Sequence, residues 1–389
     1  MATKILSVDD ELDLEVLLTQ YFRRQIRKGE YEFTFAHNGL EALQKMLETP
    51  DFDIILSDIN MPEMDGLTLL TKINELKNPA LKCIMVSAYG DMDNIRSAMN
   101  KGAFDFATKP IDLEDLDRSI QKAIKQIAFV RESEEEHSQL EAIKSDLIVA
   151  GEIQRAILPN LFPPFPELVE TVDLFASMIP AKDVGGDFYD LFQIDENCFG
   201  FVIADVSGKG VPASLFMAVS RTLLRATGLR GVSSAECINY VNKLLCKESL
   251  DAMFVTAFYG IYDCRSGVID YTNAGHTPPY IMRHDRRVEA VGMETNFVMG
   301  VFDDFHYAGG ELVLEDGDAL VLYTDGVTEA FNTRGEQFSE SGLERVLKAF
   351  PDALGAKELV GGIVDSVYAH AGEQPQSDDI TLLAIKRTN

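Results

Sequence analysis

Through the first third of the chain, short apolar runs alternate with amphipathic stretches. The runs at Lys4–Val8, Glu32–Ala36, Ile54–Ser57, Lys82–Ser87 and Asp105–Thr108 have the length and residue types of strands. Between them, Leu12–Arg24, Gly39–Leu47 and Gly66–Asn74 space their apolar residues three or four apart, the period of a helix with one buried face. Five such strands alternating with five helices predict β-α units around a parallel sheet.

The pattern then changes. From Asp117 to Leu158 there is no glycine before Gly151 and no proline before Pro159, and charge is dense over Arg131–Glu136. Leu140, Ile143, Leu147, Ala150 and Ile157 keep three-four spacing, interrupted by Gln154, which fits a short coiled coil or a single solvated connecting helix. Pro159, Pro163, Pro164 and Pro166 end it. Beyond Glu170, strand-like runs bounded by Gly, Asp and Asn follow: Phe199–Ala204, Val255–Tyr262, Val268–Asn273, Ala319–Tyr323 and Ile380–Ile385. Helical patterns at Ala213–Thr227, Ser234–Leu245 and Ala356–His370 complete the picture of a β-sandwich flanked by helices. The expected domains are residues 1–125, a helical linker 126–165, and residues 166–389.

Composition narrows the function classes. A length of 389 residues is enough for two cores. The net charge of -28 excludes a nucleic-acid partner as an expectation, because phosphate backbones are bound by clustered basic faces. The cysteines, Cys83, Cys198, Cys237, Cys246 and Cys264, form no CxxC pair and suit a reducing cytoplasm. No run of apolar residues is long enough for an export signal or a membrane span, and no DNA-binding output region is expected after Asn389.

Two groups of residues carry chemistry. In the first, Asp9 and Asp10 follow the first strand, Asp58 the third, Ser87 ends the fourth, and Lys109-Pro110 follows the fifth. The carboxyl ends of parallel strands converge on one edge, where ligands of open α/β folds bind. Oxygen ligands there suit Mg²⁺, Asp58 is placed to attack a phosphoryl donor, Lys109 to neutralise developing charge, and Ser87 to bond a phosphate oxygen. Singly, each has a plainer reading: Asp10 can cap the helix near Glu11, and Lys109 can be a surface lysine. Together with Met61, Pro62, Asp65, Gly66, Ala88 and Phe106, the set resembles the receiver domains of two-component response regulators over roughly the first 120 residues. The resemblance implies a flavodoxin-like sheet of order 2-1-3-4-5, Mg²⁺ held by Asp9, Asp10, Asp58 and the Asn60 carbonyl, and phosphate taken from a histidine kinase or phosphotransfer protein. It further implies that Ser87 and Phe106 reorient on phosphorylation and that the Lys109–Pro110 bond is cis.

The second group lies in the carboxy-terminal region: Gly185-Gly186-Asp187-Phe188-Tyr189-Asp190, Asp205-Val206-Ser207-Gly208-Lys209-Gly210, Tyr323-Thr324-Asp325-Gly326 and Ser377-Asp378-Asp379-Ile380-Thr381. Asp-Gly pairs are common turns, and any one of these motifs alone reads that way. At strand ends, however, a sandwich can gather them at one rim, where hard oxygen ligands suit Mg²⁺ or Mn²⁺ and zinc would want His or Cys. Two such ions can orient water toward phosphorus and stabilise the leaving oxygen. In this order, and with Gly151-Glu152-Ile153-Gln154, Leu158-Pro159, Pro180-Ala181, Asn273-Ala274-Gly275-His276 and Glu329-Ala330, the motifs resemble the SpoIIE-type branch of the PPM metal-dependent Ser/Thr protein phosphatases.

That resemblance implies that Asp187, Asp205, Asp325 and Asp378 are catalytic metal ligands, with the Val206 carbonyl as a further one. It gives Asp379 a supporting role and His276 a structural rather than acid-catalytic one. Gly185-Gly186-Asp187 also resembles the diguanylate cyclase signature, but Phe188-Tyr189 breaks it, and a cyclase has no use for Asp205, Asp325 and Asp378. The expected protein is a phosphorylation-controlled phosphatase, a homodimer through its linker helix, acting on a phosphorylated anti-sigma-factor antagonist. The alternative is a receiver-controlled module that binds phosphoproteins with little turnover.

Overall fold

The computed structural model describes residues 2–88, 92–168, 170–248, 253–292, 297–351 and 354–388. The chain divides into two compact units, Met1–Ile143 and Lys144–Asn389.

In the first unit, strands β1 (Thr3–Val8), β2 (Tyr31–Ala36), β3 (Ile54–Asp58), β4 (Lys82–Ala88) and β5 (Asp105–Lys109) form one sheet of order β2-β1-β3-β4-β5, with every pairing parallel. Helices α1 (Leu12–Tyr21), α2 (Arg23–Arg27), α3 (Gly39–Glu48), α4 (Gly66–Glu75) and α5 (Met92–Asn100) connect them. The expected helix from Leu12 is thus two helices, broken at Phe22, which is fully buried. Strand residues alternate between two cores: Leu6, Val8 and Ile55 pack with α3 and α4, whereas Ile5, Ile54, Leu56 and Ile84 pack with α1. Both faces of the sheet are covered, which is why its strands read as continuous apolar runs rather than alternating ones.

Helix α6 runs without interruption from Leu113 to Ile157. Its first turns belong to the core of the first unit through Leu116, Ile120, Ala123 and Ile127. Its last turns belong to the second unit, and the stripe read from the sequence divides there. Leu140 and Ile143 are exposed, Leu147 and Ala150 are partly covered, and Gly151 and Gln154 are buried; Ile148, Val149 and Ile153 form a separate exposed apolar set. The three-four spacing of this region therefore serves two purposes, and part of it is consumed inside one chain.

The second unit packs two five-stranded sheets. One has the order β13-β10-β9-β8-β7, built from β7 (Phe188–Gln193), β8 (Cys198–Val206), β9 (Val255–Asp263), β10 (Val268–Ala274) and β13 (Gly310–Val313). The other is β12-β11-β14-β15-β6, built from β6 (Val172–Ile179), β11 (Tyr280–Met282), β12 (Val288–Ala290), β14 (Ala319–Tyr323) and β15 (Ile380–Arg387). All the pairings are antiparallel. Leu320, Leu322, Leu383 and Ile385 point into the core with Phe199, Phe201 and Tyr262. Their neighbours Val321, Tyr323, Leu382 and Ala384 point the other way, into a second core with α10 (Ser339–Ala349) and α11 (Ala356–Ala371). Helices α7 (Val211–Gly228) and α8 (Ser234–Glu248) cover the first sheet, and the short α9 (Asp325–Thr328) follows β14. No helix among the described residues is long and apolar enough to cross a membrane.

Candidate phosphorylation and metal sites

At the carboxyl edge of the parallel sheet, Asp9 and Asp58 are buried and Asp10 is exposed, and carboxylate oxygens of all three lie within 4.8 Å of one another. Lys109 at the end of β5 reaches across to Asp58 Oδ2 at 2.8 Å, Asp9 Oδ2 at 3.0 Å and Glu11 Oε1 at 2.9 Å. Partial burial disfavours its ammonium, but the hydrogen bonds to Asp58, Glu11 and Asp9 outweigh that and raise its pKa above the usual lysine range. Burial also raises Asp9, against the opposing effect of the Glu11 amide and Lys109. Asp58 Oδ1 accepts the Ile59 amide at 2.7 Å, which leaves Oδ2 toward Lys109. A β-carbon on Gly66 would sit 2.0 Å from the Asp58 carbonyl oxygen, so the Asp65-Gly66 pair lets α4 start directly beneath the acidic strand end. Ser87 is buried with its hydroxyl unpartnered among the described residues, and Phe106 lies 37% exposed. The Lys109–Pro110 bond is cis. Glu11, read from the sequence only as a helix start, is the residue missed here.

In the second unit, Asp187 precedes β7, Asp205 ends β8, Asp325 begins α9, and Asp378 precedes β15. No three of them bring carboxylate oxygens within 4.8 Å of one another as Asp9, Asp10 and Asp58 do; they form a chain of electrostatic neighbours. Burial and the charges of Asp205 and Asp379 hold Asp187 well above the usual carboxylate range. Burial and the Asp325 charge push Asp205 up to about 7. Burial, then Asp378 and Glu329, raise Asp325. Lys209 Nζ pairs with Asp378 Oδ2 at 2.8 Å. Carboxylates desolvated and crowded in this way favour a bound cation, and an all-oxygen set of this kind fits divalent Mg²⁺ or Mn²⁺. Val206 is buried beside Gly186, where a β-carbon would stand 2.9 Å from the Val206 carbonyl oxygen.

Other residues hold this cluster in shape. Asp187 Oδ2 accepts hydroxyls from Thr324 and Thr381, each at 2.7 Å. Asp379 accepts the Ala181 amide at 2.8 Å and the Gly186 amide at 2.7 Å, so both its oxygens are spent on the loop before Asp187. The threonines stood inside two of the motifs quoted above. Thr324 adjoins Asp325 and Thr381 lies two residues after Asp379, but no spacing rule singles out a hydroxyl that orients a distant carboxylate.

His276 is buried behind this site. Its Nδ1 meets the Thr256 hydroxyl at 2.9 Å, while its amide donates to Asn273 Oδ1 at 2.7 Å and closes the Asn-Ala-Gly-His turn. Burial pushes its pKa down to about 4. The unfolded chain therefore holds the extra proton between that value and the ordinary one of ~6.5, so this residue's contribution is complete above the upper value and lost as pH falls toward the lower. His276→Gln should reduce the acid loss of stability by up to about 3 kcal/mol between pH 7 and pH 4. Urea unfolding of parent and variant at both pH values checks this, and equal losses would place the acid sensitivity elsewhere.

A family model described as the response regulator receiver domain matches residues 5–121, and one described as Stage II sporulation protein E (SpoIIE) matches residues 195–388. The chain is 31% identical over 262 residues to the phosphoserine phosphatase RsbU of Bacillus subtilis, covering 65% of this chain and 74% of that protein. The chain belongs to the SpoIIE-type PPM phosphatases. It joins a receiver domain to a PPM phosphatase domain. A second relative, Protein IcfG of Synechocystis sp., is 30% identical over 267 residues, or 61% of this chain and 40% of its own length. The SiaA-PP2C domain of Pseudomonas aeruginosa shares the fold, with a TM-score of 0.56 at 24% identity over 64% of this chain and 99% of that one.

Proposed function

We propose that this chain is a response regulator in which phosphorylation of Asp58 controls metal-dependent hydrolysis of phosphoserine or phosphothreonine in a partner protein. The observation that carries the reading is the chain Asp187, Asp205, Asp325 and Asp378, in which Asp187 is buried, Asp205 and Asp325 are partly so, and burial with neighbouring carboxylate charge raises the pKa of these three and so calls for cations. Bound there, two Mn²⁺ or Mg²⁺ ions would supply an activated water and charge stabilisation for the phosphoryl group. The chain's own part is to fix the ligands. Thr324 and Thr381 orient Asp187, Asp379 pins the preceding loop, and Lys209 partly offsets the charge of Asp378.

In the receiver, Asp9, Asp10, Asp58 and the Asn60 carbonyl would hold Mg²⁺, with Lys109 beside the accepting oxygen. The phosphoryl donor would be a histidine kinase or phosphotransfer protein. The substrate would be an anti-sigma-factor antagonist phosphorylated on serine; the names of the phosphoserine phosphatases RsbU and RsbP support the phosphoserine part of this reading. A second copy of the chain is the proposed cover for the exposed Leu140 and Ile143 of α6.

The test is phosphate release from a seryl-phosphorylated protein by the full chain with Mn²⁺, with and without a small-molecule phosphodonor. Release that EDTA abolishes and the donor changes is expected. Saturable binding of the phosphoprotein without release would make the chain a binding module instead.

A further inference from the structure

The loop Ala181–Gly186 that delivers Asp187 to the metal site is held from two sides. One side is Asp379. The other is the end of helix α6, where the Gln154 amide is buried and makes a matched pair of bonds to one residue. Its Nε2 donates to the Gly185 carbonyl at 2.6 Å, and its Oε1 accepts the Gly185 amide at 3.0 Å. The helix can approach this closely because position 151 has no side chain: a β-carbon there would stand 2.2 Å from the Asp183 carbonyl oxygen. Gly185 is tight in the same sense, since its β-carbon would meet Asp379 Oδ2 at 2.3 Å. The exit of the helix is fixed to β7, the strand that follows this loop, because the Tyr189 hydroxyl donates to the Pro159 carbonyl at 2.7 Å.

A buried glutamine spending both ends of its amide on a single glycine acts like one rung of a ladder for a loop that has no sheet partner. Removing it leaves a buried amide and carbonyl unsatisfied, and the loop is then free to turn about its remaining anchor at Asp379. Gly185 is two residues before Asp187, so that turn changes where the Asp187 carboxylate sits.

We infer that Gln154 is a positioning residue of the phosphatase: through Gly185 it sets the metal affinity of the Asp187 end of the site from the linker helix. The inference rests on the metal-dependent reading given above. It also fixes the point at which any movement of α6 is felt by the phosphatase chemistry, the Gln154–Gly185 pair rather than the side chains of the metal ligands.

The test uses the full chain with Gln154→Leu, which removes both bonds, and Gln154→Asn, which keeps a buried amide one methylene too short. Mn²⁺ binding is followed by the electron paramagnetic resonance of the free ion, with the Asp205→Ala protein defining the receiver's share. Phosphate release is measured across the same Mn²⁺ range. Both variants should need about tenfold more Mn²⁺ for half-saturation in both readouts, the size expected for unmaking buried hydrogen bonds, while keeping most of the parental rate when Mn²⁺ is saturating. A folded variant, with a parental melting temperature in EDTA, that takes up Mn²⁺ like the parent overturns the inference. So does failure of both variants to fold, which would make the amide a general staple of the domain. If the parent itself neither binds Mn²⁺ at the Asp205-dependent site nor releases phosphate, the functional reading fails first.

Discussion

Asp205→Ala should lower phosphate release at least about a hundredfold at equal Mn²⁺, the scale seen when one charge-stabilising group is removed from a catalytic site. Asp205 stands where the cluster is most crowded. Burial first, then the charges of Asp325, Asp378 and Asp379, push it up to about 7, against a hydrogen bond with Asp187 that lowers it. Asp325→Ala should behave in the same way. The same crowding predicts an opposite effect on stability. Without metal, deleting a partly buried carboxylate crowded by the charges of Asp325, Asp378 and Asp379 relieves repulsion, so Asp205→Ala should melt no lower than the parent in EDTA. With metal, the parent gains stability by binding and the variant gains little. Activity within a factor of a few of the parent, or equal stabilisation of both proteins by Mn²⁺, would remove Asp205 from the metal site.

What the sequence made legible follows from which signals are periodic. The receiver strands are buried on both faces, so each is a plain apolar run, and the sheet order follows the resemblance that its acidic strand ends support. The sandwich was less legible. Strand β7 carries the buried Asp190 in its interior, paired with Arg221 and Arg225, and this breaks the apolar run that marks a strand. Helix α10 includes Gly342, which sits against the ring of Phe338 and reads as a turn until that packing is known.

Among site residues, carboxylates beside glycines stand out because both types have a chemical reason to be there. Gly326 shows that reason directly, as its β-carbon would lie 1.9 Å from the Asp379 carbonyl oxygen. The groups that orient the carboxylates do not stand out. Thr324, Thr381 and Gln154 are ordinary residues whose roles exist only once distant segments meet, across 137, 194 and 31 positions respectively. Gln154 in particular looked like a polar interruption of an apolar stripe. It is the point where that stripe stops being a helix surface and becomes part of the phosphatase.

Asp58→Asn should abolish uptake of acid-labile phosphate by the full chain and, with it, the effect of a phosphodonor on phosphatase rate. The geometry separates Asp58 from its acidic neighbours. Asp9 is buried, with Oδ1 accepting the Glu11 amide at 2.9 Å, so it is held as part of the frame. Asp10 is exposed and follows the first strand rather than the third. Asp9 Oδ2 also faces Lys109, at 3.0 Å, but Asp58 Oδ2 is nearer, at 2.8 Å, and Asp58 ends the central strand β3, with Asp9 and Asp10 after β1 on one side and Lys109 on the other, which gives a phosphoryl group an oriented acceptor oxygen and a fixed cation beside it. The substitution keeps the size of the side chain and the acceptor for Ile59 while replacing the nucleophilic carboxylate with an amide. Folding should therefore be little changed, and the Mn²⁺-dependent basal phosphatase rate should persist at the level set by the unphosphorylated receiver. Phosphate incorporation from a labelled small-molecule donor and phosphate release from a seryl-phosphorylated protein, measured on the same preparation, test both halves. Stoichiometric labelling of the variant would move the acceptor to another residue. Loss of labelling with the donor still altering the phosphatase rate would detach the output from Asp58 altogether.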